Sequence, residues 1–123
     1  MRTVLVVDDS HVSYEILKKS LASSGRYRVD FFCRNGENLL ETYAQHRPDI
    51  VTMDIVMADV NGLELTRKLK EVYPDACVVI VSALSYPEVR DEAMNTGAAA
   101  YIQKPIQAEE IIKVLDSVSG NKD

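Results

Sequence analysis

Five polar residues that could take part in chemistry stand at the ends of short apolar runs. Asp8 and Asp9 follow "VLVV", Asp54 follows "IVTM", Ser82 follows "CVVIV", and Lys104 follows "AAAYIQ". If each run is a strand of one parallel sheet, the carboxyl ends of the strands bring these groups to the same edge, where ligands bind in such sheets. The pattern predicts a site with three carboxylates, a hydroxyl and an ammonium group.

The three carboxylates require compensating positive charge. Two carboxylates about 4 Å apart repel each other by about 4 kcal/mol at an effective dielectric constant of about 20. Lys104 neutralises one negative charge, and a divalent cation would neutralise the other two. Oxygen ligands without histidine or cysteine favour Mg²⁺ or Mn²⁺ over zinc. We therefore predict that Asp8, Asp9 and Asp54 hold Mg²⁺ (or Mn²⁺).

Asp54 is the best candidate for a nucleophile, because it stands alone after the third run while Asp8 and Asp9 form a pair. An aspartate can accept a phosphoryl group and form an acyl phosphate. Lys104 and the metal would neutralise the phosphoryl oxygens, and the hydroxyl of Ser82 could donate a hydrogen bond to one of them. The interpretation is phosphoryl transfer to Asp54.

The elements that must position these groups alternate between strand and helix patterns. The predicted strands are Thr3–Val7, Arg28–Cys33, Asp49–Met53, Ala76–Val81 and Ala100–Gln103. Nearly continuous apolar strands are typical of sheets covered on both faces, and amphipathic stretches between them predict the covering helices. The fold class is therefore α/β, a doubly wound parallel sheet of five strands flanked by five helices.

Two helix starts are predicted from local signals. Asn35 and Gly36 mark the start of the second helix, and Ser85 with Glu88 three residues later has the spacing of a capping box for the fourth.

Composition restricts the function further. The chain has 123 residues and a net charge of −5, which argues against non-specific nucleic-acid binding. No apolar run approaches the roughly 20 residues that span a bilayer, and no secretory signal is evident. Cys33 and Cys77 are too few and too far apart for a disulfide framework, so we expect reduced thiols. These features predict a cytoplasmic protein that binds neither nucleic acid nor membrane.

Five sequence segments together resemble the receiver domain of two-component response regulators, in particular the stand-alone, chemotaxis-type receivers. In order they are "VVDDS", "DIVTMDIVM", "NG", "SA" and "GAAAYIQKP". The resemblance implies the flavodoxin-like receiver fold with strand order 2-1-3-4-5. It would place a receiver domain over residues 1–119 and leave residues 120–123 as a polar tail.

The resemblance also assigns roles at the site. Asp54 would be the phosphoacceptor. Asp9 and Asp54 would bind Mg²⁺ directly, together with the main-chain carbonyl of Val56, and Asp8 would act mainly through water. Lys104 would pair with the phosphoryl group.

The same resemblance implies a switch. Ser82 would shift towards the phosphoryl group while Tyr101 turns inward, which alters the face formed by the fourth helix, the fifth strand and the fifth helix. The Lys104–Pro105 peptide bond would be cis. Val56 and Leu84 occupy positions that the family uses to tune the lifetime of the phosphoryl group, and both are apolar here. We expect them to hinder the hydrolytic water.

The predicted function is that of a phosphorelay response regulator, which takes a phosphoryl group from a sensor histidine kinase and controls a downstream protein target. Beyond accepting the phosphoryl group and slowly losing it, the protein would not be an enzyme. We expect a monomer, with dimerisation on phosphorylation left open. Ala58 departs from the family, which commonly has proline there.

Three alternatives remain. An aspartyl-nucleophile phosphohydrolase would need an acid two residues after Asp54, where Val56 stands. A flavodoxin-type electron carrier would bind a phosphate at its first loop, which the acids of "DDS" would repel. The chain could also be the receiver part of a longer DNA-binding or catalytic regulator.

Overall fold

The structure, a computed structural model, describes residues 1–119, so the predicted polar tail at 120–123 lies outside the described residues. Strands and helices alternate along the chain. Their bounds are β1 Arg2–Val7, α1 His11–Ala22, β2 Tyr27–Cys33, α2 Leu39–His46, β3 Ile50–Met53, α3 Gly62–Val72, β4 Val78–Ser82, α4 Pro87–Asn95, β5 Ala100–Gln103 and α5 Ala108–Ser119. None of the helices in this part of the chain has the length and apolarity needed to cross a membrane.

The five strands form one parallel sheet in the order β2-β1-β3-β4-β5. The chain moves outward from β1 to β2, then returns past β1 to β3 and continues in the other direction. The strand order therefore reverses between β1 and β3, where ligand sites of such sheets form. The predicted fold class and strand order are confirmed.

Both faces of the sheet are covered by helices, which explains the nearly continuous apolar strands. On one face, side chains of β1, β3 and β4 pack with α2, α3 and α4. The buried residues there include Leu5, Val7, Val51, Met53, Ile80, Leu39, Leu65, Leu69 and Ala93. On the other face, alternate side chains of the same strands pack with α1 and α5. They include Val4, Val6, Ile50, Val79, Val81, Leu17, Leu21, Ile111 and Leu115.

The predicted capping box of α4 is wrong. The helix begins at Pro87, and its N-cap residue is Tyr86, whose side chain makes no capping hydrogen bond. Proline suits the first helical position because its φ is already helical and it has no N–H group that would lack a partner. Ser85 and Glu88 therefore do not form the predicted pair.

Other boundaries move by a few residues. α2 begins at Leu39 rather than at 35–36, because the side chain of Asn35 accepts a hydrogen bond from the Glu37 N–H and forms a turn before the helix. β3 begins after Asp49, whose carboxylate accepts a hydrogen bond from the Thr3 N–H at 2.8 Å. β4 runs over 78–82 instead of 76–81, so Ser82 is its last residue.

Candidate functional site

The three predicted acidic residues meet at the carboxyl end of the sheet. Asp8 and Asp9 follow β1 and Asp54 follows β3, two strands that pair directly, with Val7 opposite Met53. One potential ligand oxygen from each carboxylate lies within 4.8 Å of the other two. Asp8 and Asp54 are buried, whereas Asp9 is exposed. Oxygen ligands at this spacing are compatible with a hard divalent cation.

Lys104 brings a positive charge into this cluster from the other side. Its Nζ lies 3.0 Å from Oδ2 of Asp8 and 3.4 Å from Oδ2 of Asp54. The lysine follows β5 directly, and its N–H donates to the carbonyl of Ser82, which fixes its position beside β4. The Lys104–Pro105 peptide bond is cis. One ammonium group is thus shared between two buried carboxylates.

The electrostatics of Asp54 reflect this shortage of positive charge. Burial raises the pKa of Asp54 above its ordinary value of 3.8; Lys104 opposes the rise, and the negative charge of Asp8 adds to it. Three carboxylates and one ammonium group leave two negative charges. A divalent cation would neutralise them, and the all-carboxylate ligand set suits Mg²⁺ or Mn²⁺.

Each carboxylate also accepts a backbone hydrogen bond that limits its rotation. Ile55 N–H donates to Oδ1 of Asp54 at 2.8 Å, and Ser10 N–H donates to Oδ1 of Asp8 at 2.9 Å. The third contact comes from the β3–α3 loop, where the N–H of residue 58 donates to Oδ2 of Asp9 at 3.0 Å. No side-chain pattern indicates such backbone donors, so the sequence reasoning missed them.

Gly62, the first residue of α3, lies against the backbone of the site. A Cβ atom at this position would lie 1.8 Å from the carbonyl oxygen of Asp54, so no other residue fits without displacing β3 or α3. Asn61 caps the helix, since its Oδ1 accepts the Leu63 N–H at 2.7 Å. The contact of Gly62 with Asp54 was not predicted from the sequence.

The two predicted switch residues, Ser82 and Tyr101, both form hydrogen bonds with the main chain of Leu84. Ser82 is fully buried, and its Oγ accepts the Leu84 N–H at 3.2 Å. The hydroxyl of half-buried Tyr101 donates to the carbonyl of Leu84 at 2.7 Å. The guanidinium of Arg90, on α4, lies 5.1 Å from the centre of the Tyr101 ring. The joining role of the Leu84 main chain was not predicted.

Val56 follows Asp54 by two residues. Its side chain is 62% exposed, and its main chain forms an isolated antiparallel bridge with Asn61. An apolar side chain two residues after Asp54 is therefore exposed to solvent. The role predicted for the Val56 carbonyl as a metal ligand stays a prediction.

Comparisons with known proteins agree with this geometry. The sequence profile of the response regulator receiver domain matches residues 4–116. The chain belongs to this family. The receiver domain is 34% identical over 118 residues to the chemotaxis protein CheY of Thermotoga maritima, covering 96% of this chain and 98% of that protein. It is 30% identical over 113 residues to CheY of Bacillus subtilis, covering 92% and 93%.

A solved structure is similar over nearly the whole receiver domain. A chain in the crystal structure of the CheX-CheY-BeF₃-Mg²⁺ complex from Borrelia burgdorferi matches with a TM-score of 0.90 and 28% identity, covering 95% of this chain and 88% of that one. The resemblance seen in the sequence is confirmed. The chain is a CheY-like receiver domain of the two-component type, a class of signalling proteins rather than classical enzymes.

Proposed function

We propose that this receiver domain accepts a phosphoryl group on Asp54 from the phosphohistidine of a sensor histidine kinase. The observation that carries the proposal is the convergence of Asp8, Asp9, Asp54 and Lys104 at the carboxyl end of the sheet, with a deficit of positive charge. A phosphoryl acceptor needs cationic groups that stabilise charge on the transferring group, and this arrangement provides a place for them.

The transfer requires no further reactant from the protein. A carboxylate oxygen of Asp54 forms the new O–P bond as the N–P bond of the phosphohistidine breaks, and the imidazole leaves with its electron pair and takes up a proton. Lys104, already 3.4 Å from Asp54, would pair with the phosphoryl oxygens. Asp8, Asp9 and Asp54, with the Val56 carbonyl, would hold Mg²⁺ (or Mn²⁺), which when bound neutralises charge on the carboxylates and the phosphoryl group.

Phosphorylation adds about 1.5 to 2 negative charges at Asp54. We propose that the Ser82 hydroxyl then exchanges its contact with Leu84 for one with the phosphoryl group. Because Leu84 also accepts the Tyr101 hydroxyl, this exchange would alter the face formed by α4, β5 and α5. That face would then bind or release a downstream protein target.

The exposed side chain of Val56 and the half-buried Leu84 would hinder a hydrolytic water at Asp54. We expect the substitutions Val56→Asn and Leu84→Glu to shorten the half-life of the acyl phosphate severalfold, measured as loss of label after the phosphodonor is removed. A half-life of a few seconds that neither substitution changes would contradict this role.

Labelling tests the main proposal. Incubation with acetyl phosphate and Mg²⁺ should add one phosphoryl group, and mass spectrometry after borohydride reduction should locate it at Asp54. Asp54→Asn should abolish labelling. Asp49→Asn is the matched control, since Asp49 precedes the same strand, β3, at its opposite end and should leave labelling unchanged. Label on another residue, or persistent labelling of Asp54→Asn, would refute the proposal.

The alternatives predict different results with beryllium fluoride and Mg²⁺. The proposed switch predicts chemical-shift changes in α4 and β5. A phosphohydrolase would instead turn over a phosphate ester steadily, and an electron carrier would bind flavin. We expect cell fractionation to place the protein in the cytoplasm. We expect sedimentation to show a monomer, with any dimer forming only on phosphorylation. Covalent attachment to a DNA-binding or catalytic domain would leave the phosphoryl chemistry unchanged.

A further inference from the structure

The loop between β3 and α3 folds back on itself and projects a short tip. Its ends are held together because Gly62 N–H donates to the carbonyl of Ile55 at 2.8 Å and Val56 bridges to Asn61. Residues 57–60 therefore form the tip, which we call the β3–α3 tip. Ala58 and Asp59 of this tip are exposed.

The β3–α3 tip contacts two other segments. Ala58 N–H donates to Oδ2 of Asp9 at 3.0 Å, after β1. The carboxylate of Asp59 accepts the N–H of Gly36 at 3.0 Å, in the loop after β2. Gly36 also lies very close to the tip, since a Cβ on it would be 2.7 Å from Cγ1 of Val60. The tip is thus seated between the loops that follow β1 and β2.

Among the described residues, the carboxylate of Asp9 is held by fewer contacts than the carboxylates of Asp8 and Asp54. Asp8 and Asp54 are buried and contact Lys104, so packing and an ion pair hold them. Asp9 is exposed, and its carboxylate accepts a hydrogen bond from Ala58 N–H. A carboxylate oxygen has two lone pairs, so Oδ2 can accept this N–H and still bind a cation.

We propose that the β3–α3 tip positions Asp9 for the divalent cation. Ala58 N–H orients the carboxylate, and the bond from Asp59 to Gly36 holds the tip where this donor can reach it. The inference rests on the proposed function, because it assumes that Asp9 binds the metal. Groups that orient a metal ligand in this way commonly change affinity by about 10- to 100-fold when removed. Asp59, though outside the ligand set, is a positioning residue.

Asp59 could also strengthen cation binding through its negative charge alone, and two substitutions separate the effects. Asp59→Asn removes the charge but keeps an oxygen that can accept the Gly36 N–H, whereas Asp59→Ala removes both. If the tip positions Asp9, Asp59→Ala should weaken Mg²⁺ binding about threefold, the effect of losing one hydrogen bond. Asp59→Asn should bind close to the unmodified level. Equal weakening in both variants, or no weakening in either, would overturn the proposal.

The Ala58 donor is tested without changing any side chain. Replacing the Met57–Ala58 amide by an ester, in semisynthetic protein, removes the N–H and should weaken Mg²⁺ binding about tenfold. Ala58→Pro also lacks the donor and should act in the same direction, and Ala58→Ser keeps it and serves as the control. An ester variant that binds Mg²⁺ as tightly as the amide protein would overturn the proposal even if Ala58→Pro failed to fold.

The readouts are the Mg²⁺ dissociation constant from isothermal titration calorimetry and the melting temperature without metal. A positioning role predicts weaker Mg²⁺ binding in variants whose metal-free melting curve shows that they are folded at the temperature of the titration, whereas a merely structural role would lower the melting temperature and leave the dissociation constant unchanged. The unmodified protein is titrated first. If it binds no Mg²⁺, the proposed function fails and this inference fails with it; if it binds and the variants match it, only the inference fails.

Discussion

Carboxylates and cationic side chains meet at both ends of the sheet, but the pKa of a carboxylate is raised at one end and lowered at the other. At the carboxyl end, Asp8 and Asp54 share Lys104. At the amino end, where β2 begins and α5 ends, Asp116 pairs with Arg26 at 2.6 Å and accepts the hydroxyl of Tyr27 at 2.6 Å. Each end therefore combines carboxylate oxygens with positive charge.

The pKa values of the two aspartates move in opposite directions. Burial raises the pKa of Asp54, whereas the hydrogen bond from Tyr27, followed by the contacts with Arg26, lowers that of Asp116. At the amino end the charges of Arg26 and Arg2 both favour the ionised form of one partly exposed acid. At the carboxyl end one cation serves two buried acids, with Asp9 nearby. The number of charges and their burial, rather than the residue types, distinguish a contact that stabilises the fold from a site that can attract a cation.

The largest expected effect comes from removing the cation at each end. Lys104→Met leaves two buried carboxylates without their partner, and breaking a buried pair costs about 3 kcal/mol or more of unfolding free energy. Arg26→Met, at a pair that is 56% and 42% exposed, should cost less than about 1 kcal/mol. Urea denaturation without metal measures both. Equal losses would remove the contrast between the two ends.

Adding Mg²⁺ should act at the carboxyl end alone. A ligand that binds the folded state stabilises it, by about 1.4 kcal/mol at a concentration ten times its dissociation constant. The melting temperature should therefore rise with Mg²⁺ in the unmodified protein and in Asp116→Asn. Asp9→Asn, which lacks one proposed ligand, should lose most of the rise. A rise of the same size in Asp9→Asn would point to binding elsewhere.

Asp54→Asn should stabilise the metal-free protein, because the raised pKa means that folding disfavours the charged carboxylate. We expect the melting temperature at pH 7 to rise by roughly 4 °C, the shift that about 1 kcal/mol produces in a chain of this size. The advantage should shrink when Mg²⁺ is added. A lower melting temperature would mean that the contact with Lys104 outweighs the cost of burial.

Asp116→Asn should have the opposite and smallest effect. Because the pKa of Asp116 is lowered in the folded state, its carboxylate stabilises the fold at pH values above the ordinary pKa of 3.8. This contribution is lost as the pH falls through the folded-state pKa, which lies below 3.8. After allowance for solvent screening, we expect a loss of less than about 1 kcal/mol at pH 7. Melting curves of the variant and the unmodified protein should converge once the pH falls below that folded-state pKa. A difference that persists there would exclude ionisation as its source.

Much of this architecture follows from the sequence because strand ends and apolar runs are local signals. Each strand of a parallel sheet covered on both faces must be apolar almost throughout, so the first charged residue after the apolar run marks its end. That rule is enough to locate Asp54 and Lys104 at the edge of the sheet. A local signal is misleading at the start of α4, where Ser85 has the spacing of a cap but Pro87, two residues later, fixes the first turn.

Contacts made by the backbone were beyond such reasoning. The bond from Ala58 to Asp9 depends on the path of the whole β3–α3 loop, and an alanine carries no sign of what its N–H donates to. The approach of Gly62 to Asp54 likewise depends on how α3 is set against β3. Side-chain chemistry could therefore be predicted at this site, but the groups that orient it could not.

The position of Leu84 between Ser82 and Tyr101 has a consequence for mutagenesis. Both contacts use main-chain atoms, the N–H for one partner and the carbonyl for the other. An alanine scan would leave this connection intact and would score the residue only for its isobutyl group. Library screens that search for communication across the domain would therefore miss it, while a proline at this position, lacking the N–H, would expose it.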